Sequence, residues 1–117
     1  MIKGIGVDIV KLDRIKKIGL ERFKDRILSD EEVKEYFKIN HESRKLTYLG
    51  GRFAAKEALF KCFKDELKDA TFKDFSFLNN NDGSPYLLSK YTKEYTTHIT
   101  ISHTNSDAVA FVVLEFK

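Results

Sequence analysis

Residues 51–61 read Gly-Arg-Phe-Ala-Ala-Lys-Glu-Ala-Leu-Phe-Lys and lie within the longest helical pattern of the chain. Between positions 43 and 63 there is no proline, and glycine occurs only at positions 50 and 51. Large apolar residues recur in this stretch at helical spacing, namely Leu46, Leu49, Phe53, Phe60 and Phe63. Residues at this spacing share one face of a helix. We therefore predict a long helix at about 43–63 whose apolar stripe is buried in the core.

The N-terminal segment has the alternation of a β-strand. Between residues 2 and 9, Ile5, Val7 and Ile9 lie on one face and two glycines lie on the other. We expect a strand whose glycine face is approached closely by other backbone or by a ligand. A helical pattern follows, with Asp13 as its predicted N-cap and an interruption at Gly19.

The rest of the chain contains one more helix start and two hairpins. Residues 29–32, Ser-Asp-Glu-Glu, form a capping-box sequence that opens a short helix through Tyr36. A turn cluster at 79–83 separates an aromatic-rich strand from a strand after Pro85, and a polar turn at 104–107 joins the last two strands. Helices between an N-terminal strand and C-terminal hairpins predict an α+β domain. Its small, mainly antiparallel sheet should pack against the long helix and the shorter helices.

Length and composition indicate a single domain spanning residues 1–117. Apolar residues make up 42% of the chain and charged residues 33%, which is typical of a globular protein with its own core. Cys62 is the only cysteine, which excludes an internal disulfide and a cysteine-based zinc site. The sequence has no secretory signal pattern and no apolar run near the roughly 20 residues that span a bilayer. We expect a cytoplasmic protein with no membrane partner.

Positive charge is concentrated in one segment of the chain, although the net charge is only +3. The basic residues of this segment are Lys11, Arg14, Lys16, Lys17, Arg22, Lys24 and Arg26. They outnumber the acidic residues of the same segment, which are Asp13, Glu21 and Asp25. Such a patch favours an acidic partner, whereas a solvated helix face is the simpler explanation from charge alone.

Two carboxylates have positions suited to a metal site. Asp8 follows the apolar strand pattern, and Glu57 lies in the long helix four residues before Lys61. Mg²⁺ takes oxygen ligands and commonly uses one or two carboxylates together with substrate phosphate and water. Considered alone, Asp8 is more simply a turn residue and Glu57 an ion-pair partner of Lys61. The two carboxylates can share an ion only if the helix crosses over the strand.

Five motifs together resemble the holo-acyl-carrier-protein synthase family of phosphopantetheinyl transferases. They are Gly-Ile-Gly-Val-Asp-Ile at 4–9 followed by Arg14, Ser-x-x-Glu at 29–32, the stretch at 51–61, Gly-Ser-Pro at 83–85, and Ile-Ser-His-Thr at 101–104. They occur in the family's order and run almost from end to end. The chain departs from the family at Cys62-Phe63-Lys64, where a small residue and a glycine are usual, so the motif does not fix where the long helix ends.

The resemblance implies an enzyme that moves the 4′-phosphopantetheine arm of coenzyme A to a serine of apo acyl carrier protein. Adenosine 3′,5′-bisphosphate would be released, and the product would support fatty acid biosynthesis. The resemblance assigns Mg²⁺ to Asp8 and Glu57, with Lys61 as a further catalytic residue. It assigns the phosphates of coenzyme A to Arg52 and Lys61. The group that takes the serine proton stays open among a metal-bound water, Glu57 and Glu32.

The resemblance also assigns residues to the rest of coenzyme A. His103 is placed near the adenosine end, where it can donate a hydrogen bond to phosphate. Gly83 and Pro85 correspond to a turn beside the adenine. Arg44, together with Lys45, adds to the site of the nucleotide 3′-phosphate.

The predicted carrier-protein surface lies in the basic segment. Arg14 matches the family's arginine at the point where the first helix meets the acidic carrier protein, and Lys17, Arg22 and Arg26 belong to the same surface. The family also implies a homotrimer with active sites at subunit interfaces, which the residue pattern does not show. Lys56 belongs to the same motif as Arg52 and Lys61, but the phosphate role is carried over only to those two, because a lysine on an amphipathic helix is often just solvated.

Two other functions are compatible with the residues considered without the family. The first is a non-catalytic basic module that binds nucleic acid or an acidic protein through residues 11–26. Nucleic-acid binding needs exposed aromatics for stacking, and Tyr48, Phe53 and Phe60 have the spacing of core residues, so we expect no nucleic-acid partner. The second is a metal-dependent phosphohydrolase that uses Asp8 and Glu57 without any carrier protein.

Overall fold

The computed structural model describes all residues from 1 to 117 and has an α+β architecture. Its elements are β1 (Ile2–Lys11), α1 (Leu12–Ile18), α2 (Leu20–Ile27), α3 (Asp30–Phe37), α4 (Glu42–Phe63), a 3₁₀ turn (Phe72–Asp74), β2 (Ser76–Asn79), β3 (Pro85–Leu88), β4 (Tyr95–His103) and β5 (Asp107–Phe116). β1, β5 and β4 form an antiparallel three-stranded sheet in that order, and β2 and β3 form a separate hairpin. The predicted fold class is confirmed. None of the helices has the length and apolar character needed to cross a membrane.

The long helix and both hairpins form where the sequence predicts them. α4 runs from Glu42 to Phe63, and it ends where the chain departs from the family motif. Lys64 follows with a positive φ of 56°, a backbone conformation that a residue with a side chain rarely adopts. The helix therefore ends without the glycine that usually takes this conformation.

The start of α1 differs from the prediction. The helix begins at Leu12, the N-cap position is Lys11, and no side chain caps it. Asp13 was predicted to be the N-cap, but it lies inside the first turn instead. A carboxylate in that turn still interacts favourably with the positive end of the helix dipole. The predicted interruption at Gly19 is confirmed, because this residue has a φ of 102° and separates α1 from α2.

The glycine face of β1 is the face on which α4 packs. A Cβ atom at Gly6 would collide with the carbonyl oxygen of Ala58, and one at Gly4 would collide with the carbonyl oxygen of Cys62. The two glycines thus let the helix backbone approach the strand more closely than any other residue would allow. This close approach fixes where α4 crosses β1.

The opposite face of the three-stranded sheet is apolar and open. Ile5, Val7 and Ile9 of β1 are 61%, 55% and 67% exposed, and Phe111 of β5 pairs with Val7 and is 43% exposed. Large apolar side chains in one exposed layer are unusual for an isolated chain. They form an apolar sheet face, defined here by Ile5, Val7, Ile9 and Phe111.

The core lies between the sheet and α4 and continues on the far side of the helix. Leu49, Ala54, Ala55 and Leu59 are fully buried. Edge-to-face aromatic pairs join α4 to α2, the 3₁₀ turn and the residues before β2, with Phe53 contacting Phe23 and Phe72, and Phe60 contacting Phe72 and Phe75. Such pairs add to the stabilisation from apolar burial and hold the short elements against α4.

Candidate active site

Asp8 lies beside the C-terminal half of α4, where the long helix crosses β1. Its side chain follows Gly4 and Gly6 on the helix-facing side of the strand, since alternate residues of a strand share a face. The Lys61 Nζ atom lies 2.8 Å from the carbonyl oxygen of Val7 and 3.1 Å from Oδ1 of Asp8, and it donates hydrogen bonds to both. The two glycines thus bring a carboxylate and an ammonium group together from residues 53 positions apart.

Glu57 lies one helical turn before Lys61 and is half-buried. Burial is the main cause that raises the pKa of Glu57 above its ordinary value, and the negative charge of Asp8 raises the pKa further. The positive charge of Lys61 acts in the opposite direction. Each of the three predicted catalytic side chains therefore lies within electrostatic range of the other two.

Asp8 and Glu57 are oxygen ligands of the kind that Mg²⁺ takes. No cluster of three or more histidine, cysteine, aspartate or glutamate side chains is positioned to bind a metal. Asp8 and Glu57 offer two carboxylates whose mutual repulsion a divalent cation would relieve. Mg²⁺ commonly binds with so few protein ligands because substrate phosphates and water complete its shell.

Five residues assigned to coenzyme A line one cleft of about 280 Å³. They come from α4, the β2–β3 turn, β3 and the end of β4, namely Arg44, Arg52, Gly83, Pro85 and His103. The cleft is also lined by residues to which the sequence reasoning gave no role, namely Ile39, Thr47, Tyr48, Asn79 and Ile101. The sequence could have placed Tyr48 in the cleft, because it lies one helical turn before Arg52 on the same face of the helix. For Asn79, the sequence shows only that it belongs to a turn cluster.

Arg52 is held firmly at the wall of this cleft. Only 7% of the residue is exposed. Its Nε donates to the carbonyl oxygen of Phe77 at 3.1 Å, and its Nη2 donates to Oδ1 of Asn79 at 3.2 Å. The guanidinium carbon lies 4.3 Å from the ring centre of Tyr48. This geometry presents a fixed positive charge to the cleft.

The predicted site residues form two groups on opposite flanks of α4. Successive residues of an α-helix are about 100° apart, so Glu57 is rotated by about 140° and Lys61 by about 180° from Arg52. In the sheet, Asp8 on edge strand β1 is separated from Ile101 on edge strand β4 by Ala110 of β5. Asp8, Glu57 and Lys61 do not line the cleft that contains Arg52. We call the two groups the carboxylate flank (Asp8, Glu57, Lys61) and the cleft flank (Arg44, Arg52, Gly83, Pro85, His103).

Comparison with known proteins assigns the chain to a family. The model of the 4′-phosphopantetheinyl transferase superfamily matches residues 4–113. The chain belongs to this superfamily. It is 63% identical over 117 residues to the holo-[acyl-carrier-protein] synthase of Acholeplasma laidlawii, which covers 100% of this chain and 99% of that protein. It is 38% identical over 118 residues to the synthase of Bacillus subtilis, which covers 98% of this chain and 97% of that protein.

Solved structures of phosphopantetheinyl transferases have the same fold. A holo-(acyl-carrier-protein) synthase from Bacillus anthracis in complex with CoA (3′,5′-ADP) superposes with a TM-score of 0.90 at 40% identity, covering 100% of this chain and 99% of that one. The synthase from Helicobacter pylori in complex with coenzyme A superposes with a TM-score of 0.77 at 28% identity, covering 95% of this chain and 99% of that one. Those two proteins bind the nucleotide donor that the resemblance implies.

The environment of one lysine in this transferase differs from the expected one. Lys56 was expected to be solvated, but both Lys56 and Glu32 are 0% exposed and form an ion pair. Lys56 also donates to the carbonyl oxygens of Ile27 at 2.6 Å and of Phe72 at 2.9 Å. Burial lowers the pKa of Lys56, although the charge of Glu32 acts against this effect. The helical pattern did not reveal this pair because its partner is 24 residues away.

The same pair removes one of the predicted general-base alternatives. Glu32 closes the predicted capping box, since Ser29 Oγ accepts from the Glu32 amide and Glu32 Oε1 accepts from the Ser29 amide. Its Oε2 accepts from the amide of Phe77 at 2.8 Å. Both carboxylate oxygens are occupied and buried, so Glu32 has no oxygen available to a substrate. Glu57 and metal-bound water remain as alternatives.

The predicted partner residues are exposed on α1 and α2 and adjoin the carboxylate flank. Arg14, Lys17, Arg22 and Arg26 all face solvent. Arg14 and Arg26 border a mainly apolar groove of about 300 Å³ that is lined by Ile18, Phe23 and Phe53 among others. Arg26 also borders a hollow with Glu57. The basic surface is therefore continuous with the carboxylate flank.

Proposed function

We propose that this chain transfers the 4′-phosphopantetheine group of coenzyme A to a serine of apo acyl carrier protein, giving holo acyl carrier protein and adenosine 3′,5′-bisphosphate. The observation that carries the proposal is the 63% identity, over the whole chain, to a holo-[acyl-carrier-protein] synthase. The gathering of five predicted coenzyme A residues around one cleft supports it. We further propose that the reaction takes place in the cytoplasm and supports fatty acid biosynthesis.

The proposed roles follow from the two flanks of α4. Asp8 and Glu57 would hold Mg²⁺, and the ion would neutralise negative charge on the phosphate oxygens of coenzyme A. Lys61 adds positive charge on the same flank, and Arg52 binds phosphate from the cleft. The serine oxygen attacks phosphorus in line, the bond from phosphorus to the bisphosphate oxygen breaks, and the serine proton passes to Glu57 or to water.

The arrangement of the two flanks supports a homotrimer with active sites between subunits. One coenzyme A molecule must reach both groups, yet in a single chain they lie on opposite flanks of α4. A neighbouring copy that brings its own cleft flank to the carboxylate flank would complete the site. The apolar sheet face offers a surface for such copies, since burying exposed Ile5, Val7, Ile9 and Phe111 would be strongly favourable.

Introducing a charge on the apolar sheet face should prevent assembly. We expect Val7→Asp to shift the molar mass measured by light scattering from that of a trimer to that of a single chain, because an interface buries a charge only at a large cost. Leu88→Asp is the matched control, since Leu88 at 52% is about as exposed as Val7 at 55% but lies on the separate hairpin. A Val7→Asp variant that stayed trimeric would show that the subunits meet elsewhere.

Reversing a charge on the partner surface should weaken carrier-protein binding without affecting the nucleotide. We expect Arg14→Glu to raise the KM for apo acyl carrier protein about tenfold and to leave the KM for coenzyme A unchanged. Lys93→Glu, on a loop outside α1 and α2, is the control for the same change of charge. Equal effects of the two variants on the carrier KM would contradict the assigned surface.

The raised pKa of Glu57 predicts an acid limb in the Mg²⁺-dependent rate. A carboxyl group binds a cation only when it is ionised, and burial and Asp8 raise the pKa of Glu57 above the ordinary value of 4.5. As pH falls, turnover should therefore be lost at a higher pH than an ordinary glutamate would give. Raising the Mg²⁺ concentration should move this limb to lower pH, because the metal competes with the proton. A limb that does not move would separate Glu57 from metal binding.

The proposed activity is tested by weighing the carrier protein. The chain is incubated with coenzyme A, Mg²⁺ and apo acyl carrier protein, and the carrier mass is measured by mass spectrometry. A phosphopantetheine adduct that requires all three components is expected. No adduct on the carrier, together with breakdown of coenzyme A when the carrier is left out, would favour a phosphohydrolase instead. The alternative of a non-catalytic basic module is not favoured, because relatives along the full length are synthases.

A further inference from the structure

Arg52 uses one edge of its guanidinium group to bind the protein itself. Nε and Nη2 form one hydrogen-bonding edge of an arginine, and here the carbonyl oxygen of Phe77 and Oδ1 of Asn79 occupy it. An arginine has five N–H donors in a rigid plane, so a second edge formed by Nη1 and Nη2 remains for an anion. The acceptors on β2 therefore decide which edge of Arg52 faces a ligand.

Tyr48 restrains the same guanidinium from another direction. Its ring centre lies 4.3 Å from the guanidinium carbon, a distance that allows a cation–π contact. The hydroxyl of Tyr48 donates to the backbone carbonyl oxygen of Glu32 at 3.3 Å, which ties the ring to α3. Burial is the main cause that raises the pKa of Tyr48, so the hydroxyl stays protonated and able to donate. The plane of the guanidinium is thus limited by a ring on one side and by two acceptors at its edge.

Asn79 also connects Arg52 to the turn at the other end of the cleft. It is the last residue of β2, and it pairs with Pro85, the first residue of β3. Pro85 and Gly83 line the same cleft as Arg52. A single side-chain contact therefore joins the arginine to the turn assigned to the adenine. Asn79 itself is exposed at this wall, so it restrains Arg52 without burying it.

We infer that Asn79 and Tyr48 are positioning residues that orient Arg52, so that its Nη1 and Nη2 edge meets a phosphate group of the bound nucleotide. This inference rests on the proposed function, because it takes coenzyme A as the ligand of the cleft. Neither residue reacts with the substrate, although both line the cleft. Their effect on nucleotide binding passes through Arg52.

A double-mutant cycle on nucleotide affinity distinguishes a positioning role of Asn79 from direct contact between Asn79 and the nucleotide. Adenosine 3′,5′-bisphosphate is titrated into the wild-type protein, Asn79→Ala, Arg52→Ala and the double variant, and each affinity is measured by calorimetry. We expect Asn79→Ala alone to weaken binding about fivefold, and to have no further effect when Arg52 is already alanine. Arg52→Lys, which keeps the charge but not the two-donor edge, replaces Arg52→Ala if the alanine variant does not fold.

Substitutions at Tyr48 and Asn81 serve as controls for the shape and the chemistry of the side chains. Tyr48→Phe keeps the ring over the guanidinium but loses the hydrogen bond to Glu32, so it should weaken nucleotide binding less than Tyr48→Leu, which removes the ring and should lose about as much affinity as Asn79→Ala. Asn81→Ala changes another exposed asparagine of the same turn and should have no effect. In turnover assays, Asn79→Ala should raise the KM for coenzyme A and leave the KM for the carrier protein unchanged.

The possible outcomes distinguish a positioning role of Asn79 from direct contact with the nucleotide. If Asn79→Ala weakens binding as much in the Arg52→Ala background as in the wild type, Asn79 contacts the nucleotide directly and the inference is overturned. If Asn79→Ala has no effect in the wild type, the inference is also overturned. In both cases the proposed function stands. If the wild-type protein binds neither adenosine 3′,5′-bisphosphate nor coenzyme A, the proposed function fails, and this inference fails with it.

Discussion

Asp8→Asn and Glu57→Gln should each lower the kcat for carrier-protein modification by at least about 100-fold while the protein stays folded. Both changes keep the size of the side chain and remove the negative charge that a divalent cation requires. Asp8 also forms an ion pair with Lys61, with 3.1 Å between Oδ1 and Nζ. Because the Lys61 side chain is half exposed, the loss of this pair costs little stability. Circular dichroism and thermal unfolding should therefore match those of the wild type.

The position of the metal can be tested in the same experiment. Asp13→Asn, an exposed aspartate in α1, is the matched control and should keep full activity. The concentration of Mg²⁺ that gives half-maximal rate should rise in Asp8→Asn and Glu57→Gln and stay unchanged in the control. Full activity in both site variants would show that the metal, if the reaction uses one, is not held by these two carboxylates.

Lys56→Met should produce the largest loss of stability of any single substitution proposed here. Removing the ammonium group leaves the carboxylate of Glu32 buried without its partner, which typically costs about 3–5 kcal/mol in the free energy of unfolding. For a domain of this size, such a loss corresponds to a fall in Tm of more than about 10 °C. Thermal or urea unfolding measures this directly.

The control variants separate the buried pair from a lysine on the surface. Lys34→Met removes a lysine whose side chain is 70% exposed, and it should change the free energy of unfolding by less than about 0.5 kcal/mol. The double variant Glu32→Gln with Lys56→Met should be less destabilised than the sum of the two single variants, because no charge is left without a partner. A small effect of Lys56→Met would mean that water reaches Glu32.

Local sequence patterns accounted for most of the fold. The capping box at Ser29 and Glu32, the interruption at Gly19 and the extent of α4 each depend on residues close together in the chain. Alternation around Gly4 and Gly6 predicted that other backbone or a ligand approaches this face of β1, and the structure shows that backbone does. The strand alone could not show that the approaching groups are carbonyl groups of α4.

Interactions between distant residues could not be predicted in this way. Lys56 has the spacing of a surface lysine, and only the packing of α2, α3 and the 3₁₀ turn against α4 shows that it is buried. Asn79 appeared to be one of several turn residues, yet it contacts Arg52 across 27 positions of sequence. The separation of Arg52 from Glu57 and Lys61 around α4 follows from their spacing in the sequence, whereas the placement of Asp8 beside one flank and of the cleft beside the other follows from how α4 crosses the sheet.

The hydrogen bonds of Lys61 couple the binding of a divalent cation to the binding of a diphosphate. Without ligands, its ammonium group acts as an internal counter-ion for Asp8, so the carboxylate flank carries less unbalanced charge than its two acids would give. In the proposed reaction, an arriving divalent cation has to displace this counter-ion, and an arriving diphosphate gives the released ammonium a new partner. The affinities of cation and diphosphate are then thermodynamically linked, and each ligand should bind more tightly when the other is present.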